Sequence, residues 1–199
     1  MCIGSGAGDG ECRSAEGEHR PLEAAISFFP GFCILTPEEP CIHMCEPGRI
    51  LEAEPGHLDR MTEIEGACFA GPAAYSRRKL HYLAFLANST CYVETDGTAI
   101  RGFIIVMFRR GCRISVVETI DVDPNFQGKG IGLRLLNAAE KDMLKKRCRI
   151  SRLQVAVGNI PAIRLYEKAG YRATRLLLQY YRFASHGTRD AWRMEKNLG

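Results

Sequence analysis

Three glycines, Gly128, Gly130 and Gly132, alternate through VDPNFQGKGIGLRLL just before a stretch with helical apolar spacing. A glycine-rich turn that runs into a helix N-terminus binds anions, because the first backbone N–H groups of a helix lack intrahelical partners and the dipole favours negative charge there. Gln127 and Lys129 add side-chain donors to the same turn. Two familiar phosphate loops do not fit. A dinucleotide fingerprint starting at Gly128 needs glycine where Leu133 stands, and a Walker loop needs Ser or Thr where Gly130 follows the lysine.

Glu118 lies two and four positions before Ile120 and Val122 in a β-branched segment, so strand alternation predicts the three side chains on one face. Tyr166 sits in an amphipathic stretch that opens at Asn159, whose side chain suits a helix N-cap. Gln154 is a neutral amide and takes no proton at useful pH. The five histidines are dispersed, with no metal or triad spacing. Nine cysteines, an odd number without regular spacing, read as reduced thiols rather than a disulfide framework. Cys41, His43 and Cys45 in CIHMC are soft ligand types, but zinc takes four ligands and no second pair is evident, so no metal site is assigned.

The elements that must position these residues follow from periodicity. Residues 49–54 read as a strand, and 57–69 and 76–87 as helices, with Leu58, Met61, Ile64, Glu65 and Cys68 on one face of the first. Residues 91–94, 100–108 and 113–122 read as an antiparallel meander with turns at Asp96-Gly97 and Arg110-Gly111. Ile131, Leu135, Ala139 and Met143 mark a helix over 131–147. A strand over 153–157, a helix over 159–168 with Gly170 at its C-terminus, and two strands around His186-Gly187 complete the chain.

The 199 residues, 46% hydrophobic and 25% charged, suit one core plus an appendage. Residues 1–48 hold eight acids and two bases, a net of −6 against +4 for the whole chain, which leaves +10 on residues 49–199. The acidic segment has scattered Gly and Pro and no sustained periodicity, so it reads as a disordered tail before a domain at 49–199, and Met44 is a candidate start. The basic body invites anionic partners: a phosphorylated cofactor, ribosomal RNA or an acidic peptide. No apolar run is long enough to span a membrane and no secretory signal is evident, so the expectation is a cytoplasmic protein without a membrane partner.

The spacing of Gln127, Gly130 and Gly132 resembles the pyrophosphate loop Q/R-x-x-G-x-G/A of the GNAT superfamily of acetyl-CoA-dependent N-acetyltransferases. A second segment, NIPAIRLYEKAGY, is similar to the family's N-x-x-A-x-x-L-Y-x-x-x-G-F at Asn159, Ala162, Leu165, Tyr166, Gly170 and Tyr171. The order of elements also matches. The ending QYYRFASHGTRDAWRMEKNL further resembles the RimI-like branch that acetylates protein N-termini. The resemblance covers about residues 49–198. It implies an α/β (α+β) GNAT fold, a mixed, mostly antiparallel sheet of about seven strands flanked by four helices. It implies acetyl-CoA held by Gln127, Gly128, Lys129, Gly130, Ile131 and Gly132 at the pyrophosphate, by the backbone of Ile120 and Val122 along pantetheine, and by Asn159 and Ala162.

In that family a tyrosine of the fourth helix protonates the departing thiolate, the place Tyr166 occupies, and Ile120 N–H is the candidate oxyanion donor. RimI-like enzymes commonly carry Glu where Gln154 stands, which leaves Glu118 as the candidate base. Tyr75, Tyr180 and Tyr181 are the candidate contacts to the acceptor. The expected acceptor is a protein or peptide N-terminus, a ribosomal protein among the candidates, with no direct nucleic-acid partner. The alternatives are a small amine or a lysine side chain as acceptor, or a non-catalytic acyl-CoA-binding module, against which the intact Tyr166 argues.

Overall fold

The computed structural model describes residues 48–69 and 71–199. The reading of the acidic segment as disordered, the CIHMC cluster and Met44 all lie outside the described residues.

Among the described residues, seven strands and four α-helices follow in the expected order. Strand β1 (Arg49–Glu52) leads to α1 (Leu58–Cys68) and α2 (Arg77–His81). Leu58, Met61, Ile64 and Glu65 of α1 are buried, the spacing of one helical face. Ser76 caps α2 by accepting from Lys79 N–H at 3.3 Å. The helix expected over 76–87 continues past His81 as a single π turn, Tyr82–Leu86. Then come β2 (Ser89–Thr95), β3 (Ile100–Phe108), β4 (Ile114–Val122), α3 (Ile131–Lys145), β5 (Ile150–Ala156), α4 (Ile160–Lys168), β6 (Arg172–Leu177) and β7 (Ala191–Asn197).

The strands form one sheet in the order β1-β2-β3-β4-β5-β7-β6. Both faces are covered. On one, Ile104, Val106, Val117 and Leu153 pack with Leu135, Leu136 and Met143 of α3 and Tyr166 of α4. On the other, Val93, Phe103 and Ile105 pack with Met61 and Ile64 of α1 and Leu80 of α2. Burial on both faces explains why β3 reads as a continuous apolar run from Phe103 to Phe108. Near its start, Arg101 (1% exposed) forms a forked ion pair with Glu94 of β2 (0% exposed), and Arg134 of α3 joins the same carboxylate at 2.5 Å.

Two irregularities shape the site. The parallel pairing of β4 with β5 covers only Ile114–Val117 against Ile150–Leu153, so the strands part beyond Val117. On its other edge β4 stays paired with β3, but Ile105 faces Thr119 while Val106 faces Val117, which leaves Glu118 as the extra residue of a β-bulge. The bulge corrects the expectation that Glu118, Ile120 and Val122 share a face. Ile120 and Val122 pack on the α3 side, whereas Glu118 bonds to Tyr75, which packs on the α1 side. Simple alternation fails where one residue is inserted. No helix among the described residues is long and apolar enough to cross a membrane.

Candidate active site

The parting of β4 from β5 exposes a strand edge. Asp123 N–H donates to Arg101 O at 2.9 Å. Because donors alternate along an antiparallel strand, the N–H groups of Ile120 and Val122 therefore point away from β3, toward the gap. Val122 O on that side accepts from Gln127 Nε2 at 3.0 Å and from Cys68 Sγ at 3.3 Å. Gln127 thus ties the glycine loop to the end of β4.

The loop itself turns at Gly128 and Gly130, whose φ values of +77° and +75° belong to the left-handed region that favours glycine. Nothing lies within 4 Å of where a Cβ on Gly128 would project, so the turn presents open backbone. Lys129 sits over the Phe126 ring at 4.9 Å, and its carbonyl accepts from Arg134 at 2.9 Å. Ile131 and Gly132 open α3. A Cβ on Gly132 would come within 3.0 Å of Leu165, so glycine lets α4 approach the first turn of α3.

A cavity of about 350 Å³ occupies the gap between the strands. Ile120, Asn159, Ala162 and Tyr166 line one part of it, and Tyr75, Glu118 and Tyr181 another. The structure therefore brings together residues from β4, α4, the α1–α2 connection and the β6–β7 connection. Tyr180 lies beside this wall, half-exposed, with its ring edge-on to Tyr181 at 5.0 Å. Val122 and the loop from Gln127 to Gly132 lie outside the cavity, the loop continuing past the end of β4. Gln154 lines the cavity from β5.

Tyr166 is 6% exposed, its ring 5.9 Å from that of Tyr171. Burial, reinforced by the nearby Asp121, pushes its hydroxyl well above the ordinary phenol range, so it keeps its proton. Asn159 caps α4 by accepting from Ala162 N–H at 3.2 Å. Tyr75 hydroxyl donates to Glu118 Oε1 at 2.8 Å. Burial, then Glu118, pushes Tyr75 far up as well, so at neutral pH that bond runs from phenol to carboxyl. Burial raises Tyr181 to about 12.

Sequence reasoning missed several contributors. Glu65 also lines the cavity and accepts from Tyr75 N–H at 2.8 Å; an acid within the apolar stripe of α1 was its signal. Arg182, Phe183 and Ser185 add to the wall opposite β4. Gly158 lets the β6–β7 connection close over the end of β5, since a Cβ there would stand 2.1 Å from His186 O. No local pattern announced that contact.

The Acetyltransferase (GNAT) family profile matches residues 58–171. The chain belongs to the GNAT acetyltransferase family. It is 31% identical over 161 residues to the N-alpha-acetyltransferase RimI of Mycobacterium tuberculosis, covering 77% of this chain and 95% of that protein. Among solved structures it is similar to the ribosomal-protein-S18-alanine N-acetyltransferase from Escherichia coli. There the TM-score is 0.68 at 23% identity, over 76% of this chain and 94% of that one. It is also similar to Arabidopsis thaliana NAA60 in complex with acetyl-CoA, with a TM-score of 0.66 at 20% identity, over 75% and 97% of the two chains. This GNAT domain is an acetyl-CoA-dependent N-acetyltransferase, and its residues fit that cosubstrate. The loop that leads into α3 meets open space at Gly128, a helix N-terminus carries N–H groups without intrahelical partners, and the free edge of β4 offers donors to an extended amide chain.

Proposed function

We propose that the enzyme acetylates the N-terminal α-amine of a protein or peptide, as its RimI-like relatives are named for doing. The observation that carries this reading is the acceptor side of the cavity, where Glu118 meets the hydroxyl of Tyr75 between walls supplied by α1 and the β6–β7 connection. On this reading the amine approaches past Tyr75 and Tyr181, with Tyr180 at the rim, and gives its proton to Glu118. Ile120 N–H donates to the thioester oxygen as that oxygen gains charge, and Tyr166 hydroxyl supplies the proton to the departing sulfur. Gln127, Gly128, Lys129, Gly130, Ile131 and Gly132 hold the pyrophosphate, Val122 backbone holds pantetheine, and Asn159 and Ala162 border the same arm.

Proton affinity favours an α-amine. An amine attacks only when neutral, and with ordinary pKa values of about 7.7 to 8.0 for an α-amine and about 10.4 for lysine, roughly a tenth of the former and under about a thousandth of the latter is neutral near pH 7. With Gln154 in place of a glutamate on β5, Glu118 is the carboxylate assigned to collect the proton, and an α-amine demands less of it. A ribosomal protein is one acceptor class this supports. Peptides with a free N-terminus and a small first residue are expected to be acetylated, and the same peptides blocked at the N-terminus but bearing lysine are not. Thiol release with mass-spectrometric location of the acetyl group tests this. Predominant lysine modification at neutral pH overturns it.

A further inference from the structure

At the cavity wall two acids face each other, with no cation from the described residues between them. Glu65 of α1 and Asp121 of β4 are each 1% exposed, and their carboxyl groups lie within hydrogen-bonding reach of each other. One oxygen of each has a donor. Glu65 Oε1 accepts from Tyr75 N–H at 2.8 Å, and Asp121 Oδ1 accepts from Thr119 hydroxyl at 3.0 Å. The other two oxygens, Glu65 Oε2 and Asp121 Oδ2, are buried and have no donor from any other described residue. Two ionised carboxylates in contact and out of water is an arrangement too costly to persist, and a single shared proton relieves it.

We propose that Asp121 is held as a neutral carboxylic acid that donates its proton to Glu65 Oε2, and that the pair is a positioning device for the acceptor side of the site. This rests on the reading of Glu118 as the group that meets the acceptor amine. The chain of contacts runs from Asp121 to the Glu65 carboxylate, from there to the backbone N–H of Tyr75, and from the Tyr75 hydroxyl to Glu118. Each end of Tyr75 is thereby fixed by an acid, one on α1 and one in the bulge of β4. The proton is placed on Asp121 because, among the described residues, Asp121 accepts from a hydroxyl whereas Glu65 accepts from a backbone N–H.

The surroundings agree with a neutral Asp121. Burial, then Glu65, raises its pKa well above the ordinary carboxyl value. Among the described residues the titratable groups that face it are Glu65 and Cys68 from α1, Cys91 from β2 and Tyr166 from α4. None is a cation. Both thiols are pushed up to about 12, chiefly by burial, and stay neutral. Asp123, two residues on, is occupied by Arg60. The pair therefore places one negative charge at the cavity wall instead of two. A second carboxylate there would oppose the negative charge that develops on the thioester oxygen and sulfur.

Asp121→Asn keeps an N–H donor toward Glu65 but has no proton to lose, whereas Asp121→Ala removes the donor. At pH 7 the Asn variant is expected to keep kcat and the acceptor KM within about threefold of the parent. The Ala variant is expected to raise acceptor KM at least tenfold while acetyl-CoA affinity stays within about threefold. A raised carboxyl pKa means that the parent loses stability relative to the Asn variant as pH climbs from the ordinary carboxyl range toward the raised value. Thermal melts from pH 5 to 9 should therefore show a gap that widens with pH in favour of Asn.

Infrared spectroscopy supplies a readout independent of turnover. The carbonyl band of a protonated carboxyl group should be present in the parent at pH 7 and absent from Asp121→Asn. If Asp121→Ala does not fold, Glu65→Gln carries the same decision, because an amide donor then faces Asp121 and the band should vanish. Absence of the band in the parent, its persistence in Glu65→Gln, or an Asn variant as impaired as Ala each overturns the proposal. The band and the melts do not depend on which amine is acetylated, so failure of the peptide assay alone strikes the acceptor reading and leaves the pair standing.

Discussion

Tyr166→Phe removes one oxygen and nothing else from the wall of the cavity. The ring is 6% exposed and packs 5.9 Å from Tyr171, and both features survive the substitution. The variant should therefore melt within about 4 °C of the parent, the shift that about 1 kcal/mol produces in a domain of this size. Among the described residues no hydrogen bond joins the hydroxyl to the glycine loop or the free edge of β4, the elements assigned to the pyrophosphate and pantetheine, so acetyl-CoA affinity should change by less than about threefold. Turnover should fall at least about 10²-fold, the scale of a lost general acid, which is about 2.7 kcal/mol in the barrier. The pH profile sharpens the test. Burial keeps Tyr166 protonated far above neutrality, so any decline in parent activity between pH 6 and 9 belongs to another group and should persist in the Phe variant. Steady-state thiol release with a good peptide acceptor, beside calorimetric titration with CoA, measures both quantities. Unchanged turnover, or a loss matched by an equal loss of acetyl-CoA affinity, refutes Tyr166 as the proton donor.

Gly158→Ala puts a Cβ 2.1 Å from the backbone oxygen of His186, so the β6–β7 connection must move; peptide kcat/KM should fall at least about tenfold, as small displacements in a site do, while calorimetry shows acetyl-CoA affinity nearly unchanged. Glu94→Ala removes the buried carboxylate shared by Arg101 and Arg134 and should cost about 3–5 kcal/mol in urea denaturation; a cost under about 1 kcal/mol would show that the interior hydrates readily there. A chain that starts at Met44 should retain acetylation and melt within about 4 °C of the full chain, and a larger loss in melting and assay would show that the acidic segment packs on the domain.

What the sequence made legible divides along the range of the forces involved. The seven strands, the four helices and their order follow from local periodicity and turn chemistry, and the GNAT motifs lie in single short segments around Gly130 and Tyr166. The bulge at Glu118 was not legible, because an inserted residue is defined only against β3, where Ile105 meets Thr119 and Val106 meets Val117. Reading 113–122 as a uniform strand gave Glu118 the wrong face. The Glu65–Asp121 contact joins residues far apart in the chain, and its only local traces were an acid in the apolar stripe of α1 and an acid in a β-branched run. Gly158 belongs to the same class, since the need for glycine comes from His186 in a distant hairpin.

The two irregularities of β4 together account for a site open to both faces of the sheet. Where β4 parts from β5, each strand is still held by its other neighbour, β3 and β7 respectively, so the gap persists without support from within. An unpaired edge is ordinarily a hazard because it templates another strand, but here it lies inside the sheet, where only a narrow extended chain can enter. The bulge then separates the two groups proposed to handle protons. Tyr166 belongs to the α3 face and Glu118 with Tyr75 to the α1 face, and both border the same cavity. On the proposed mechanism the amine must therefore arrive from one side of the sheet and the thiol leave on the other, so the group that takes the proton and the group that gives it never compete for one position. A regular β4 would put Glu118 on the α3 face beside Ile120, on the same side as Tyr166, and the acceptor would then have to enter along the path that the acyl arm occupies.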